Sequence, residues 1–98
     1  MPDILVVDDN EANRYYLESL LGGHGYTVAS AADGQAALEC ARRERPRLVV
    51  SDILMPVMDG YALCREWRLD PGLNAVPFVF YTATYTDDKD AEFALKLG

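Results

Sequence analysis

Ninety-eight residues, half of them hydrophobic, are enough for one packed domain and too apolar for a disordered chain. A formal net charge of −7 speaks against this domain itself gripping nucleic acid, whose phosphates call for lysine and arginine. The apolar runs are far shorter than a membrane span, and Met1-Pro2-Asp3 carries no basic stretch ahead of an apolar one, so no membrane segment or secretory signal is expected and the setting reads as cytoplasmic. Cys40 and Cys64 are too few for a disulfide framework and read as reduced thiols in helices.

Asp3 to Val7 reads as a short strand whose two-sided apolarity, Ile4 to Val7, fits the centre of a parallel sheet. Asp8-Asp9-Asn10-Glu11 opens a helix, with Asp9 or Asn10 as N-cap and Asp8 and Glu11 at capping-box spacing. Tyr16, Leu17, Leu20 and Leu21 make its apolar face, and Gly22-Gly23 stops it. Tyr26 to Ala29 is a second strand. Asp33 caps a second helix whose small face (Ala36, Ala37, Cys40, Ala41) suits close packing on a sheet. Arg42, Arg43, Arg45 and Arg47 cluster near its end, where they complement the helix dipole, and Pro46 terminates it.

Leu48 to Ser51 is the third strand, and it delivers Asp52 to its carboxyl end. Met55-Pro56 and Asp59-Gly60 turn the chain. Asp59 caps a third helix that buries Leu63, Cys64 and Trp67, and Asp70-Pro71-Gly72 breaks it. Val76 to Tyr81 is the fourth strand. Thr86, followed by Asp87 and Asp88, opens a fourth helix that carries Ala91, Ala94 and Leu95 as far as Gly98.

Strand and helix thus alternate four times with no repeat and no linker, which implies right-handed βαβ units and an α/β fold, a doubly wound parallel sheet. Ligands of such sheets sit outside the carboxyl ends of the strands. Asp8 and Asp9, Asp52, and Thr82-Ala83 follow the first, third and fourth strands. In the flavodoxin-like strand order 2-1-3-4 the first and third strands are neighbours, and the three acids meet. Carboxylates so placed repel one another, and the usual remedy is a hard divalent cation, Mg²⁺ or alternatively Mn²⁺. With the cation in place an anionic phosphoryl group can approach Asp52, which acts as nucleophile and becomes an aspartyl phosphate. Thr82 can donate its hydroxyl to a phosphoryl oxygen, and Ala83 beside it leaves room. Singly, each feature has a plainer reading: a helix cap at Asp8-Asp9-Asn10, a turn at Asp52, a strand-end hydroxyl at Thr82. Their joint placement on corresponding strand ends favours the site.

Val6-Val7-Asp8-Asp9-Asn10, then Ser51-Asp52-Ile53-Leu54-Met55-Pro56-Val57-Met58-Asp59-Gly60, then Tyr81-Thr82-Ala83 resembles the receiver domain of bacterial two-component response regulators over the whole chain, residues 1–98. The resemblance implies that Asp52 accepts a phosphoryl group from a phosphohistidine on a sensor histidine kinase or phosphotransfer protein. It implies Mg²⁺ held by Asp9, Asp52 and the Leu54 backbone carbonyl, with Asp8 helping directly or through water. It implies that Thr82 contacts the phosphoryl group and moves on activation, that the Ala83 amide also contacts it, and that the domain is a switch and not a turnover enzyme.

Members of that family continue into a fifth strand, ending in a lysine, and a fifth helix. Both would lie beyond Gly98, where an effector domain could also follow, so the domain reads as incomplete at its C-terminus. The expected consequence is an open edge on the fourth strand, with Phe78, Val79 and Phe80 partly uncovered and self-association through that edge. The alternative is a receiver-like interaction module that works without phosphorylation. Flavin-nucleotide binding is disfavoured because the first loop carries two acids, and Gly22-Gly23-His24-Gly25 follows a helix, so it is no dinucleotide fingerprint.

Overall fold

The four apolar stretches become strands of one sheet. The elements run β1 (Ile4–Val7), α1 (Glu11–Gly23), β2 (Val28–Ala31), α2 (Gly34–Arg43), β3 (Leu48–Asp52), α3 (Gly60–Leu69), β4 (Phe78–Tyr85) and β5 (Ala91–Leu97). The computed structural model of the chain describes residues 2–53, 55, 58–85 and 91–97. Strand order is β2-β1-β3-β4-β5. The first four strands are parallel in the expected order 2-1-3-4, and β5 runs antiparallel to β4.

Alternation along each strand divides the apolar side chains between two faces. Leu5, Val7, Val49, Phe78 and Phe80 point toward α2 and α3, where they join Ala37, Leu38, Ala41, Leu63 and Trp67 in the main core. Trp67 lies edge-on to Phe78 with ring centroids 5.7 Å apart, the helix-to-sheet contact its spacing suggests. On the opposite face α1 is the partner. Leu48, Val50, Val79 and Tyr81 with Leu17 and Leu21 line an apolar groove of about 390 Å³ there. Among the described residues no helix is long and apolar enough to cross a membrane.

Three local signals read from the sequence hold. Asn10, Asp33 and Asp59 are the N-caps of the three helices, accepting from the backbone N–H groups of Asn13, Ala36 and Ala62 at 2.8–3.0 Å. Between Asp9 and Asn10, the cap is therefore Asn10. Asp8 does not reach forward in a capping box; its Oδ1 accepts from Asn10 N–H at 2.8 Å. Arg42 and Arg43 occupy the last turn of α2.

Several boundaries differ. β2 begins at Val28 instead of Tyr26, because Tyr26 N–H still closes the end of α1 on the Leu21 carbonyl and Gly25 turns there at φ 93°. β4 continues past Tyr81 to Tyr85, so Thr82 and Ala83 lie inside that strand instead of beyond it. The largest departure concerns the fourth helix. Its expected start at Thr86 lies outside the described residues, and Ala91–Leu97 forms a strand paired to Val79–Tyr85. Phe93, Leu95 and Leu97 alternate with Glu92, Ala94 and Lys96, a period of two, and β4 offers an outer edge of backbone donors and acceptors that this segment satisfies. The edge expected to be open is thus paired. Phe78 and Phe80 are buried under α3 and only Val79, on the α1 face, is half-buried.

Trp67 is the largest fully buried side chain. Trp67→Ala is expected to lower unfolding free energy by about 3–5 kcal/mol in urea titrations, the usual cost of emptying a large aromatic site.

Candidate functional site

The sheet register assembles the site. β1 pairs with β3 from Ile4↔Leu48 to Val7↔Ser51, so one step further Asp8 lies level with Asp52. β3 pairs with β4 so that Asp52 is level with Tyr81. Asp8, Asp52 and Tyr81 therefore form a row level with the carboxyl ends of β1 and β3, all on the α1 face. Asp9 follows as the chain turns into α1. One carboxylate oxygen each from Asp8, Asp9 and Asp52 lie within 4.8 Å of one another.

Their surroundings differ. Asp8 is fully buried, Asp52 half-buried and Asp9 exposed. The buried carboxylate accepts on both oxygens: from Asn10 N–H at Oδ1 and from the Tyr81 hydroxyl at Oδ2. The Arg14 guanidinium, one turn into α1, donates to the Asp8 backbone carbonyl at 2.7 Å and brings a positive charge beside the acids. Asp52 Oδ1 accepts from Ile53 N–H at 2.8 Å, and Ser51 Oγ donates to the Asp52 carbonyl at 2.9 Å. Burial, then the hydrogen bond to Asp8, then the charges of Asp8, Asp52 and Asp9 push the Tyr81 hydroxyl well above the ordinary tyrosine range. It stays a neutral donor throughout the physiological pH range.

The start of α3 clamps the Asp52 backbone. Gly60 N–H donates to the Ile53 carbonyl at 2.7 Å. A Cβ on Gly60 would fall on the Asp52 carbonyl oxygen and 2.9 Å from Ile53 Cα, so only glycine lets the helix come this close.

The donor set suits a hard cation. Mg²⁺ takes oxygen ligands at about 2.0–2.1 Å, which places neighbouring ligand oxygens about 3 Å apart and opposite ones about 4.2 Å apart. Three carboxylate oxygens within 4.8 Å of one another are gathered near that spacing. The Leu54 carbonyl, the fourth ligand expected, lies outside the described residues. Thr82 and Ala83 are placed by backbone alone: both sit in β4 just past the row, level with Ala94 and Phe93 of β5. Sequence reasoning missed Tyr81 and Arg14. Tyr81 needs the register of three strands to be found, whereas Arg14 could have been noticed as a cation one helical turn after the acid pair.

Comparison with known proteins identifies the family. Residues 4–98 match the family described as the response regulator receiver domain. A probable transcriptional regulator, ycf27 of Porphyridium aerugineum, is 45% identical over 95 residues, covering 97% of this chain and 38% of that protein. The chain thus spans well under half the length of that relative. The chemotaxis protein CheY4 of Vibrio cholerae superposes with a TM-score of 0.80 at 32% identity, covering 91% of this chain and 74% of that one. The receiver domain of the sensor histidine kinase PA1611 from Pseudomonas aeruginosa PAO1 gives 0.79 at 36% identity over 88% of this chain and 70% of that one; it carries a magnesium ion coordinated in its active-site cleft.

Gly60→Ala is expected to lose about 1–3 kcal/mol in chemical denaturation, because overpacking against Asp52 outweighs alanine's better helix propensity. Gly22→Ala, where an added Cβ meets nothing within 4 Å, is the control and should be neutral or stabilising.

Proposed function

The chain belongs to the response regulator receiver domain family, and on that footing we propose that it is a phosphoacceptor switch in which Asp52 takes a phosphoryl group from a phosphohistidine. The phosphohistidine would stand on a sensor histidine kinase or a phosphotransfer protein. The observation that carries this reading is the meeting of Asp8, Asp9 and Asp52 at the carboxyl edge of the sheet. Asp9, Asp52 and the Leu54 carbonyl would hold Mg²⁺, with Asp8 acting through its remaining lone pairs or through water. Bound there, the cation supplies positive charge that offsets the repulsion between the incoming phosphoryl oxygens and the carboxylates.

The transfer balances simply. A carboxylate oxygen of Asp52 forms a bond to phosphorus as the phosphorus–nitrogen bond of the phosphohistidine breaks, and the imidazole leaves and takes up a proton from solvent. Ile53 N–H and the Gly60 clamp hold the carboxylate and its backbone at the strand end. Little acid–base help is needed, since phosphoryl transfer rests on positioning and charge neutralisation. Thr82 would donate to a phosphoryl oxygen and shift when the group arrives, and the Ala83 amide would be a second contact. Water later attacks phosphorus, the bond between phosphorus and the Asp52 oxygen breaks and inorganic phosphate leaves, so the domain resets itself and turns over no separate substrate. The phosphorylation-independent reading is disfavoured because none of the three acids is missing. The cytoplasm is the proposed setting, since phosphorelay partners work there, and in the whole protein the switch would act on an attached output segment.

The test is incubation with acetyl phosphate and MgCl₂ followed by intact mass measurement. A single phosphoryl adduct is expected, lost with excess chelator and absent from Asp52→Asn. An adduct that survives Asp52→Asn would contradict the assignment.

A further inference from the structure

We propose that Tyr81 is a positioning residue of the acid cluster: its hydroxyl holds Asp8 while no cation is bound and gives way as a divalent cation arrives, and so sets how tightly that cation is held. This rests on the cation reading above.

Tyr81 is level with Asp52, and its side chain reaches across β3 to Asp8 at the end of the neighbouring strand. Both partners are buried, at 1% and 0% exposure. A carboxylate withdrawn from water needs hydrogen bonds, and Asp8 receives them on both oxygens, from Asn10 N–H and from the Tyr81 hydroxyl. Its main chain is held as well, with the carbonyl on Arg14 and the N–H on Ala31. The one freedom left to Asp8 is rotation of its carboxylate, and Tyr81 and Asn10 oppose it.

The hydroxyl and a cation compete for the same electron density. A neutral donor quiets the Asp8 charge and lessens its repulsion with Asp52, which stabilises the cluster without metal. The same donation weakens what Asp8 offers to a cation. The ring has a separate task, lining the groove with Leu48, Val50 and Val79. A phenylalanine would do that equally well, so Tyr81→Phe isolates the hydroxyl.

The test is calorimetric titration with MgCl₂ of the wild-type protein, Tyr81→Phe, Asp8→Asn and the double variant, with melting curves in chelator and in saturating MgCl₂. Tyr81→Phe should bind Mg²⁺ about three- to tenfold tighter, the effect of releasing one hydrogen bond. It should melt lower in chelator and gain more from Mg²⁺ than the wild type does. In the Asp8→Asn background the same change should alter affinity less than about twofold. A second readout is the Mg²⁺-induced change in near-ultraviolet tyrosine absorption that the wild-type protein shows and Tyr81→Phe lacks: it should be a shift to the blue as Mg²⁺ loosens the hydroxyl's bond. Equal or weaker Mg²⁺ binding by Tyr81→Phe, or an unchanged tyrosine spectrum on Mg²⁺ saturation, overturns this inference alone. A wild-type protein that takes up no Mg²⁺ overturns the cation reading and this inference with it.

Discussion

Three carboxylates share one corner of the sheet, and their mutual repulsion is the constraint around which the rest is arranged. With oxygens within 4.8 Å of one another, the charges repel, least at the exposed Asp9 where water screens them. The corner is therefore lined with donors. Asn10 N–H and the Tyr81 hydroxyl meet Asp8, Ile53 N–H meets Asp52, and Arg14 brings a cation to the Asp8 backbone. On the proposed function, the same cluster of charge is what would draw a divalent ion and, through it, a phosphoryl group. The site's affinity and the fold's local strain are thus two sides of one electrostatic imbalance.

The sheet makes the imbalance possible by register. Parallel pairing of β1 with β3 and of β3 with β4 brings Asp8, Asp52 and Tyr81 level, and the apolar strands bury their stems so firmly that the row cannot spread to relax its charges. The main core, with Trp67 against Phe78, supplies the stability that the acid corner draws on. Gly60 joins the two regions: the first turn of α3, anchored in the core by Leu63 and Trp67, presses directly on the Asp52 backbone. A change felt at Asp52 can reach α3 through this contact without passing through solvent.

Much of this was legible in the sequence because it is local. The caps at Asp33 and Asp59, the apolar strand runs and the acids just past them are short-range signals, and the parallel order follows from strand–helix alternation. The ambiguous cap resolved to Asn10 because its oxygen, unlike that of Asp9, reaches Asn13 N–H. Ala91–Leu97 misled because two periods coexist there: Ala91, Ala94 and Leu95 fit a helix, whereas Phe93, Leu95 and Leu97 fit a strand, and the free edge of β4 decided between them. Tyr81 was invisible as a site residue because its partner is 73 positions away and two strands over. No spacing rule within one segment reports such a pair.

The proposed function stands on the binding of one divalent cation by Asp8, Asp9 and Asp52 together. Anomalous diffraction from crystals soaked in Mn²⁺ tests it most directly. A single strong peak bonded to Asp9 and Asp52 oxygens, with Asp8 beside it or joined through water, is the predicted result. Peaks only at other acidic residues, or none among these three side chains, would contradict the account.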